Sequence, residues 1–282
     1  MKEWFSLIRV RQWYKNLVVF LALFFSGNLF NLSDLYLTII AFFSLAFVSS
    51  TGYIVNDLVD AEKDKLNPEK RSRPLASGKI GKIQAGLLGM FLLGLGLILA
   101  FKISSTFLYL TILFFILELL YTFFLKNILI ADILTISTLF VVRAISGAFA
   151  IEVKVSPWLI LCPFFLSLFL SVGKRQAEMH LLKEKAALTR TVLKDYNPGL
   201  TNSLMIISTT LLVISYALYS FLSEHPNLLY TLPFALFVIF RFYYLTNSGS
   251  VISRHPEKVL SDRGMLIGIL LWVLITGMMV YW

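Results

Sequence analysis

"FFSLAFVSSTGYIVNDLVDAEKDK" (Phe42–Lys65) changes character at Asn56. Up to Val55 it is almost wholly apolar or small; beyond it, Asp57, Asp60, Glu62 and Asp64 alternate with Lys63 and Lys65. Asn56, Asp60 and Asp64 are spaced i, i+4, i+8, and Asp57, Asp60 and Asp64 are spaced i, i+3, i+7. If the apolar helix continues past the membrane face, these side chains share one side of it. The stretch predicts a membrane-crossing helix that carries an acidic row out of the lipid.

The rest of the chain has the composition that this reading requires. Of 282 residues, 58% are hydrophobic and 15% charged, against about 25% charged in a soluble domain. The mean hydropathy is +0.80. About nine apolar stretches, at 17–32, 35–55, 82–101, 104–125, 128–150, 156–173, 203–222, 228–246 and 264–282, approach the length needed for a hydrocarbon core of roughly 30 Å. The first is the weakest, because "SGNLFN" is polar for a span. The expected fold class is therefore all-α, a polytopic membrane bundle of about nine transmembrane helices, with residues 1–282 forming a single domain. The first apolar run lacks a small-residue cleavage site, so no cleavable signal peptide is expected.

Charge placement orients the bundle. With the N-terminus in the cytosol, the inner segments collect Lys2, Arg9, Arg11 and Lys15, then Lys63 through Lys82, Lys126, Lys174 through Lys194, and Arg254, Lys258 and Arg263. The outer loops hold only Lys102 and Lys154. This is the positive-inside pattern, and nine spans would leave the C-terminus outside. The net charge of +9 is explained by that orientation and by anionic head groups, so nucleic acid is not an expected partner. The lone Cys162 excludes an intrachain disulfide. His180, His225 and His255 are scattered without a zinc pattern, and no Gly-rich phosphate loop occurs. Gly86, Gly89, Gly94 and Gly96 lie inside a span and are expected to let helices pack closely.

The acidic row is expected to work chemically. Converging carboxylates repel unless a cation joins them, and an oxygen-only set favours Mg2+ or Mn2+. Mg2+ keeps few protein ligands and shares the remainder with water and phosphates. Asn56, Asp57, Asp60 and Asp64 thus read as a metal–diphosphate holder, and the alternative is a solvated helix end with local ion pairs from Glu62, Lys63 and Lys65. The following "NPEKRSRP" sets Lys70, Arg71 and Arg73 between Pro68 and Pro74, where guanidinium groups match phosphate oxygens or, alternatively, lipid head groups.

"NDLVDAEKD" resembles the first Asp-rich motif, NDxxDxxxD, of the UbiA superfamily of intramembrane prenyltransferases. That resemblance implies a UbiA-like bundle of nine spans and a magnesium-dependent transferase. Three further stretches resemble the branch of decaprenyl-phosphate phosphoribosyltransferases: "RVRQWYKN" (9–16), which contains Lys15 and Asn16; "LLYTFFLKNILIAD" (119–132), with Tyr121, Lys126 and Asp132, followed by Arg143; and "VGKRQAE" (172–178), with Lys174, Arg175 and Glu178. Val10 stands where that branch often has proline. The resemblance implies Asp57, Asp60 and Asp64 as catalytic residues, and the basic and polar positions just named as substrate-binding residues. It implies transfer of a 5-phosphoribosyl group from phosphoribosyl diphosphate to a polyprenyl phosphate at the cytoplasmic face of the inner (plasma) membrane, in service of cell-wall biosynthesis.

The residues fit that branch on charge grounds. A sugar diphosphate that also carries a 5-phosphate needs two anion sites, and basic groups recur at Lys15, at 70–73, at Lys126 and at Lys174–Arg175. Plainer roles stand beside each. Lys15 near Trp13 and Tyr14, and Tyr121, suit interfacial anchors. Lys126 obeys the positive-inside pattern, and Lys174 and Glu178 suit an i, i+4 surface pair. Asp132 lies inside a span, where an unpaired carboxylate is costly. Arg143 lies about 16 Å deeper at 1.5 Å per residue; a buried pair with Glu118 is its favoured role, with the lipid phosphate as the alternative. Two rival functions remain at this stage: a prenyl diphosphate–using transferase of the same superfamily, and a transporter or lipid-binding membrane protein. Acceptor chain length and homo-oligomer formation are left open by the sequence.

Overall fold

The structure, a computed structural model, describes residues 2–67, 69–182 and 191–282. Eight helices among these are long and apolar enough to cross a membrane. The chain divides into two compact units, the first comprising residues 1–155 with 187–192 and the second residues 156–186 with 193–282.

The first unit opens with α1 (Lys2–Leu7), a 3-10 stretch (Val10–Val19) and α2 (Phe20–Phe25). This is where the sequence places its weakest span. The 3-10 geometry rises about 2.0 Å per residue, so the run from Val10 to Phe25 covers about 29 Å without being one long α-helix. The polar "SGNLFN" ends it, with Gly27 at φ 77° supporting the turn. Asn31 then caps α3 (Leu32–Leu66) by accepting bonds from the Ser33 and Asp34 amides. At 35 residues α3 is about 52 Å long, well beyond the roughly 30 Å hydrocarbon layer. Its surplus length is the segment that carries the acids.

α4 (Lys82–Ile103), α5 (Ser105–Phe123) and α6 (Ala131–Ala150) complete this unit. α4 is apolar around its whole circumference and buries only Ala85, Gly89, Leu92, Gly96 and Ala100, a narrow stripe recurring every three or four residues. Small residues on that stripe let α3 approach closely, so that Ser44 Oγ donates to the Gly96 carbonyl at 2.8 Å and Thr51 Oγ1 to the Gly89 carbonyl at 3.0 Å. Gly86 and Gly94 face open space instead. The outward side chains of α4, including Met90, Phe91, Ile98 and Phe101, are more than half exposed, as a lipid-facing surface requires.

Two apolar clusters hold the unit together. Val19, Leu45, Val48, Phe107, Phe114, Leu139 and Val142 pack along the bundle. Leu7, Ile54, Leu75, Ile80, Ala85 and Leu92 pack at the end that carries the acids. This second cluster draws α1 and the loop after α3 down against α3 and α4. It is the reason that the basic residues of both segments reach the acidic row.

The second unit contains α7 (Pro157–Leu182), α8 (Pro198–Leu222), α9 (Leu232–Asn247), the short α10 (Val251–Arg254) and α11 (Arg263–Tyr281). Polar contacts tie its helices: Trp272 Nε1 donates to the Tyr216 hydroxyl at 2.7 Å, which lies 2.6 Å from Thr231 Oγ1. Gln176 donates to Asn202 Oδ1 at 2.8 Å and to Asn247 Oδ1 at 3.3 Å, joining α7, α8 and α9. Asp262 caps α11 and takes a bidentate bond from Arg241.

At Gly147, in α6, an added Cβ would collide with the Val19 backbone carbonyl. Backbone cannot swing aside as a side chain does. Gly147→Ala should therefore cost about 1–3 kcal/mol, read as a lower midpoint in thermal unfolding of the detergent-purified protein; an unchanged midpoint would mean that α6 and the 3-10 stretch are not in contact there.

Candidate active site

The acidic row shares one side of α3, as its spacing predicts, but at 1.5 Å per residue it is about 12 Å long from Asn56 to Asp64. Such a row cannot close on a single ion. Among the described residues no three acidic, His or Cys side chains form a metal-holding group. The row divides instead into two pairs, each held by basic side chains from other parts of the first unit.

The first pair is Asn56 with Asp60. Lys126 reaches them from the 3-10 turn Leu125–Asn127 between α5 and α6. Its Nζ lies 2.8 and 2.7 Å from the two Asp60 carboxylate oxygens and 3.2 Å from Asn56 Oδ1. Lys126 is buried. A buried ammonium needs a counter-charge, and Asp60 provides it.

The second pair is Asp57 with Asp64, both buried. Arg73 Nη1 donates to Asp57 Oδ1 at 3.0 Å and to Asp64 Oδ2 at 2.6 Å. Lys70 Nζ lies 4.0 Å from Asp64, and Arg9 Nη2 also bonds Asp57. Burial, together with the adjacent Arg9 guanidinium, lowers the Arg73 pKa from its ordinary value. Arg71 is exposed, and Pro68 lies outside the described residues. The exposed Glu62–Lys65 pair at 2.8 Å is the local ion pair of the plainer reading, and it involves none of the four row residues.

Arg9 is the site residue that sequence reasoning missed. It adopts φ 51°, ψ 47°, a left-handed conformation uncommon for a residue with a side chain. That turn points Arg9 back across α3, where its guanidinium lies 4.8 Å from the centre of the Tyr53 ring. Lys15 Nζ lies 5.8 Å from the same ring. Only the position of Arg9 at the head of "RVRQWYKN" marked it.

A third polar cluster sits deeper. Arg143 is buried; its Nε donates to Asn16 Oδ1 at 2.8 Å and its Nη2 lies 3.4 Å from Ser49 Oγ and 3.5 Å from Glu118. The guanidinium also lies 4.3 Å from the Phe114 ring centre. Glu118 rests against Gly52, where a Cβ would meet its carboxylate. The expected Arg143–Glu118 pair is thus present, and Asn16 joins it. Asp132 is wholly buried in the first turn of α6, and Tyr121 is half-buried near the end of α5.

Lys174, Arg175 and Glu178 belong to the second unit, on α7. Glu178 pairs with Arg175, three residues away. Burial alone would raise the Glu257 carboxyl, but the His255 hydrogen bond, a backbone hydrogen bond and the His255 charge, with a smaller contribution from the Lys174 charge, outweigh it and lower its pKa to about 2. Lys183, Lys185 and Arg190 of the second charged loop lie outside the described residues.

The donor set of the acidic row is oxygen-only, and each pair already holds a cationic side chain between its oxygens. These are cation positions with few protein ligands, which is what Mg2+ shared with a diphosphate requires. The residues present therefore fit such an ion.

Residues 16–253 match the UbiA prenyltransferase family. The decaprenyl-phosphate phosphoribosyltransferase of Mycolicibacterium smegmatis is 30% identical over 292 aligned residues, covering 97% of this chain and 91% of that protein. The enzyme of the same name from Corynebacterium glutamicum is 32% identical, covering 97% of this chain and 85% of that one. Among solved structures, a UbiA homolog from Archaeoglobus fulgidus bound to GPP and Mg2+ shares the fold with a TM-score of 0.73 at 20% identity, covering 99% of each chain. The eight long apolar helices together with these matches make this a multi-pass membrane protein, and the chain belongs to the UbiA prenyltransferase family.

Proposed function

We propose that this chain transfers a 5-phosphoribosyl group from phosphoribosyl diphosphate to a polyprenyl phosphate, releasing diphosphate. The observation that carries the reading is the row of paired charges at the end of α3: oxygen donors for a metal and basic groups for phosphates stand within one hydrogen bond of each other. Two near-full-length relatives bear the name of this activity. Residues 1–282 act as one UbiA-like domain in the plasma membrane, with the N-terminus and the site on the cytoplasmic side and the C-terminus outside, on the strength of the basic inner segments.

In this reading each pair of the row, Asn56 with Asp60 and Asp57 with Asp64, would hold its own Mg2+, and the metal would neutralise charge on the diphosphate leaving group. Lys126, Arg73 and Lys70 bind diphosphate oxygens, and Arg71 stands at the mouth of the site. Lys174 and Arg175, oriented by Glu178, bind the 5-phosphate. Lys15 and Asn16 meet the phosphate of the lipid, with Arg143 holding Asn16 in place. Tyr121 and Asp132 frame the Lys126 turn from α5 and α6. A phosphate oxygen of the acceptor attacks the anomeric carbon while the bond from that carbon to the diphosphate oxygen breaks, and its electron pair leaves with diphosphate. Phosphate monoesters have a second pKa near 6, so the attacking oxygen needs no general base. The basic side chains stabilise the charge that builds on the leaving group.

The test is direct. Purified protein with Mg2+, radiolabelled phosphoribosyl diphosphate and polyprenyl phosphate should yield a phosphoribosylated lipid, identified by mass spectrometry. Turnover only with a prenyl diphosphate and an aromatic acid would replace this reading with lipid transfer, and flux without diphosphate release would replace it with transport. Asp60→Ala should reduce transfer by at least about 100-fold, the scale of losing one electrostatic group at a reacting centre, while the protein still elutes as a folded species in detergent. Retained activity would remove Asp60 from the site. Lys174→Ala should raise the KM for the sugar donor by about 10-fold, one charge-assisted contact, and leave the KM for the lipid unchanged. Equal KM values for the donor would make Lys174 a structural partner of Glu257 alone.

A further inference from the structure

The basic residues of the site are committed to the acids that a metal would need. Arg9, Lys70, Arg73 and Lys126 face Asp57, Asp60 and Asp64, four cations against three carboxylates. Lys126 Nζ occupies the point between Asn56 Oδ1 and both Asp60 oxygens, at 2.7–3.2 Å. Arg73 occupies the corresponding point between Asp57 and Asp64.

We propose that Lys126 and Arg73 are exchangeable counter-ions, which hold the carboxylates while the site is empty and turn to diphosphate oxygens when metal and diphosphate enter, so that neither ligand binds well alone. The inference rests on the function proposed above and concerns how that site loads.

The energetics follow from burial. A divalent cation arriving alone has to displace the Lys126 ammonium from Asp60. It leaves that ammonium buried without a partner, in a site that already carries an excess of positive charge, and an unpaired buried charge is strongly unfavourable. Diphosphate arriving alone has to draw Lys126 and Arg73 away, which leaves Asp60 without its counter-ion and Asp57 and Asp64 with only Arg9 and Lys70. When both arrive together every charge is matched again. The metal takes the oxygens of the row, and the displaced side chains take the oxygens of the diphosphate. The four-carbon stem of Lys126 suits the exchange, since its ammonium is a compact charge with freely rotating donors. Arg73 comes from a loop rather than from a helix, with Leu75 buried beside it as an anchor, so the exchange is made by its long side chain. The coupling is reciprocal: metal strengthens diphosphate by the factor by which diphosphate strengthens metal.

The experiment is equilibrium binding by calorimetry on the purified full chain in detergent, with three probes: Mg2+ alone, inorganic diphosphate alone in EDTA, and Mg2+–diphosphate. Wild type should bind the combined probe at least 10-fold more tightly than either component. Lys126→Met removes the resident counter-ion, so this variant should bind Mg2+ alone at least 10-fold more tightly than wild type and Mg2+–diphosphate more weakly. Lys126→Gln, which keeps a donor to Asp60 without its charge, should shift in the same direction and guards against a variant that does not fold. Lys126→Arg should behave as wild type. If wild type binds the combined probe but Mg2+ alone binds no better to Lys126→Met or Lys126→Gln, the exchange is wrong and the proposed function stands. If wild type binds the combined probe no better than either component, the exchange is overturned. If it binds none of the three probes, the diphosphate reading of the site falls with it.

Discussion

Everything at the functional end of the first unit follows from one constraint: carboxylates buried at the end of a helix must be neutralised. Asp57 and Asp64 are nearly sequestered from solvent, and an isolated ionised carboxylate in such a place costs several kcal/mol. The chain meets the requirement with side chains from three separate segments. Arg9 comes from the turn after α1, Arg73 from the loop after α3, and Lys126 from the turn after α5. Arg9 and Lys126 lie far from the acids in sequence, while Arg73 follows Asp64 by nine residues, and together the ion pairs stitch the functional end of the unit together. They also give the proposed exchange of ionic ligands for ionic side chains its physical basis.

The apolar packing serves that arrangement. Leu7, Leu75 and Ile80 are buried with Ile54 and Leu92, so the segments bearing Arg9 and Arg73 are anchored by hydrophobic contacts rather than by the salt bridges themselves. Such anchoring leaves the charged tips free to change partners while their backbones stay in place. Deeper in the bundle the Arg143–Asn16–Glu118 cluster works differently. Its buried guanidinium is enclosed by Phe114, Asn16 and Ser49, and it ties the 3-10 stretch to α5 and α6. The first group of charges is the one proposed to bind the donor; Arg143 and Glu118 fix the frame around it and hold Asn16 in place.

Hydropathy made the long helices legible, because a span of about 20 apolar residues has few other uses. Spacing made the acidic row legible, and intramembrane cost made the Arg143–Glu118 pair legible. Other features were hidden for identifiable reasons. The left-handed turn at Arg9 has no sequence signature, since nothing but tertiary contact favours it in arginine. The 3-10 geometry of Val10–Val19 was hidden because the segment joins a polar stretch, with Arg11, Gln12, Lys15 and Asn16, to the start of the first apolar run, and no residue pattern marks 3-10 against α over so short a length. The division of the row into two pairs depends on where Lys126 and Arg73 arrive, which is decided by loops. The spacing of Lys174 and Glu178 suggested an i, i+4 pair but gave no hint that Arg175 bonds the same carboxylate at i+3.

The most direct measurement is a structure determined by electron cryomicroscopy with Mg2+ and phosphoribosyl diphosphate bound in lipid nanodiscs. The account predicts metal density against Asn56 and Asp60, diphosphate beside it, and the Lys126 ammonium moved from Asp60 onto a diphosphate oxygen. Donor and metal bound elsewhere, with the Lys126–Asp60 and Arg73–Asp64 pairs unbroken, would contradict it.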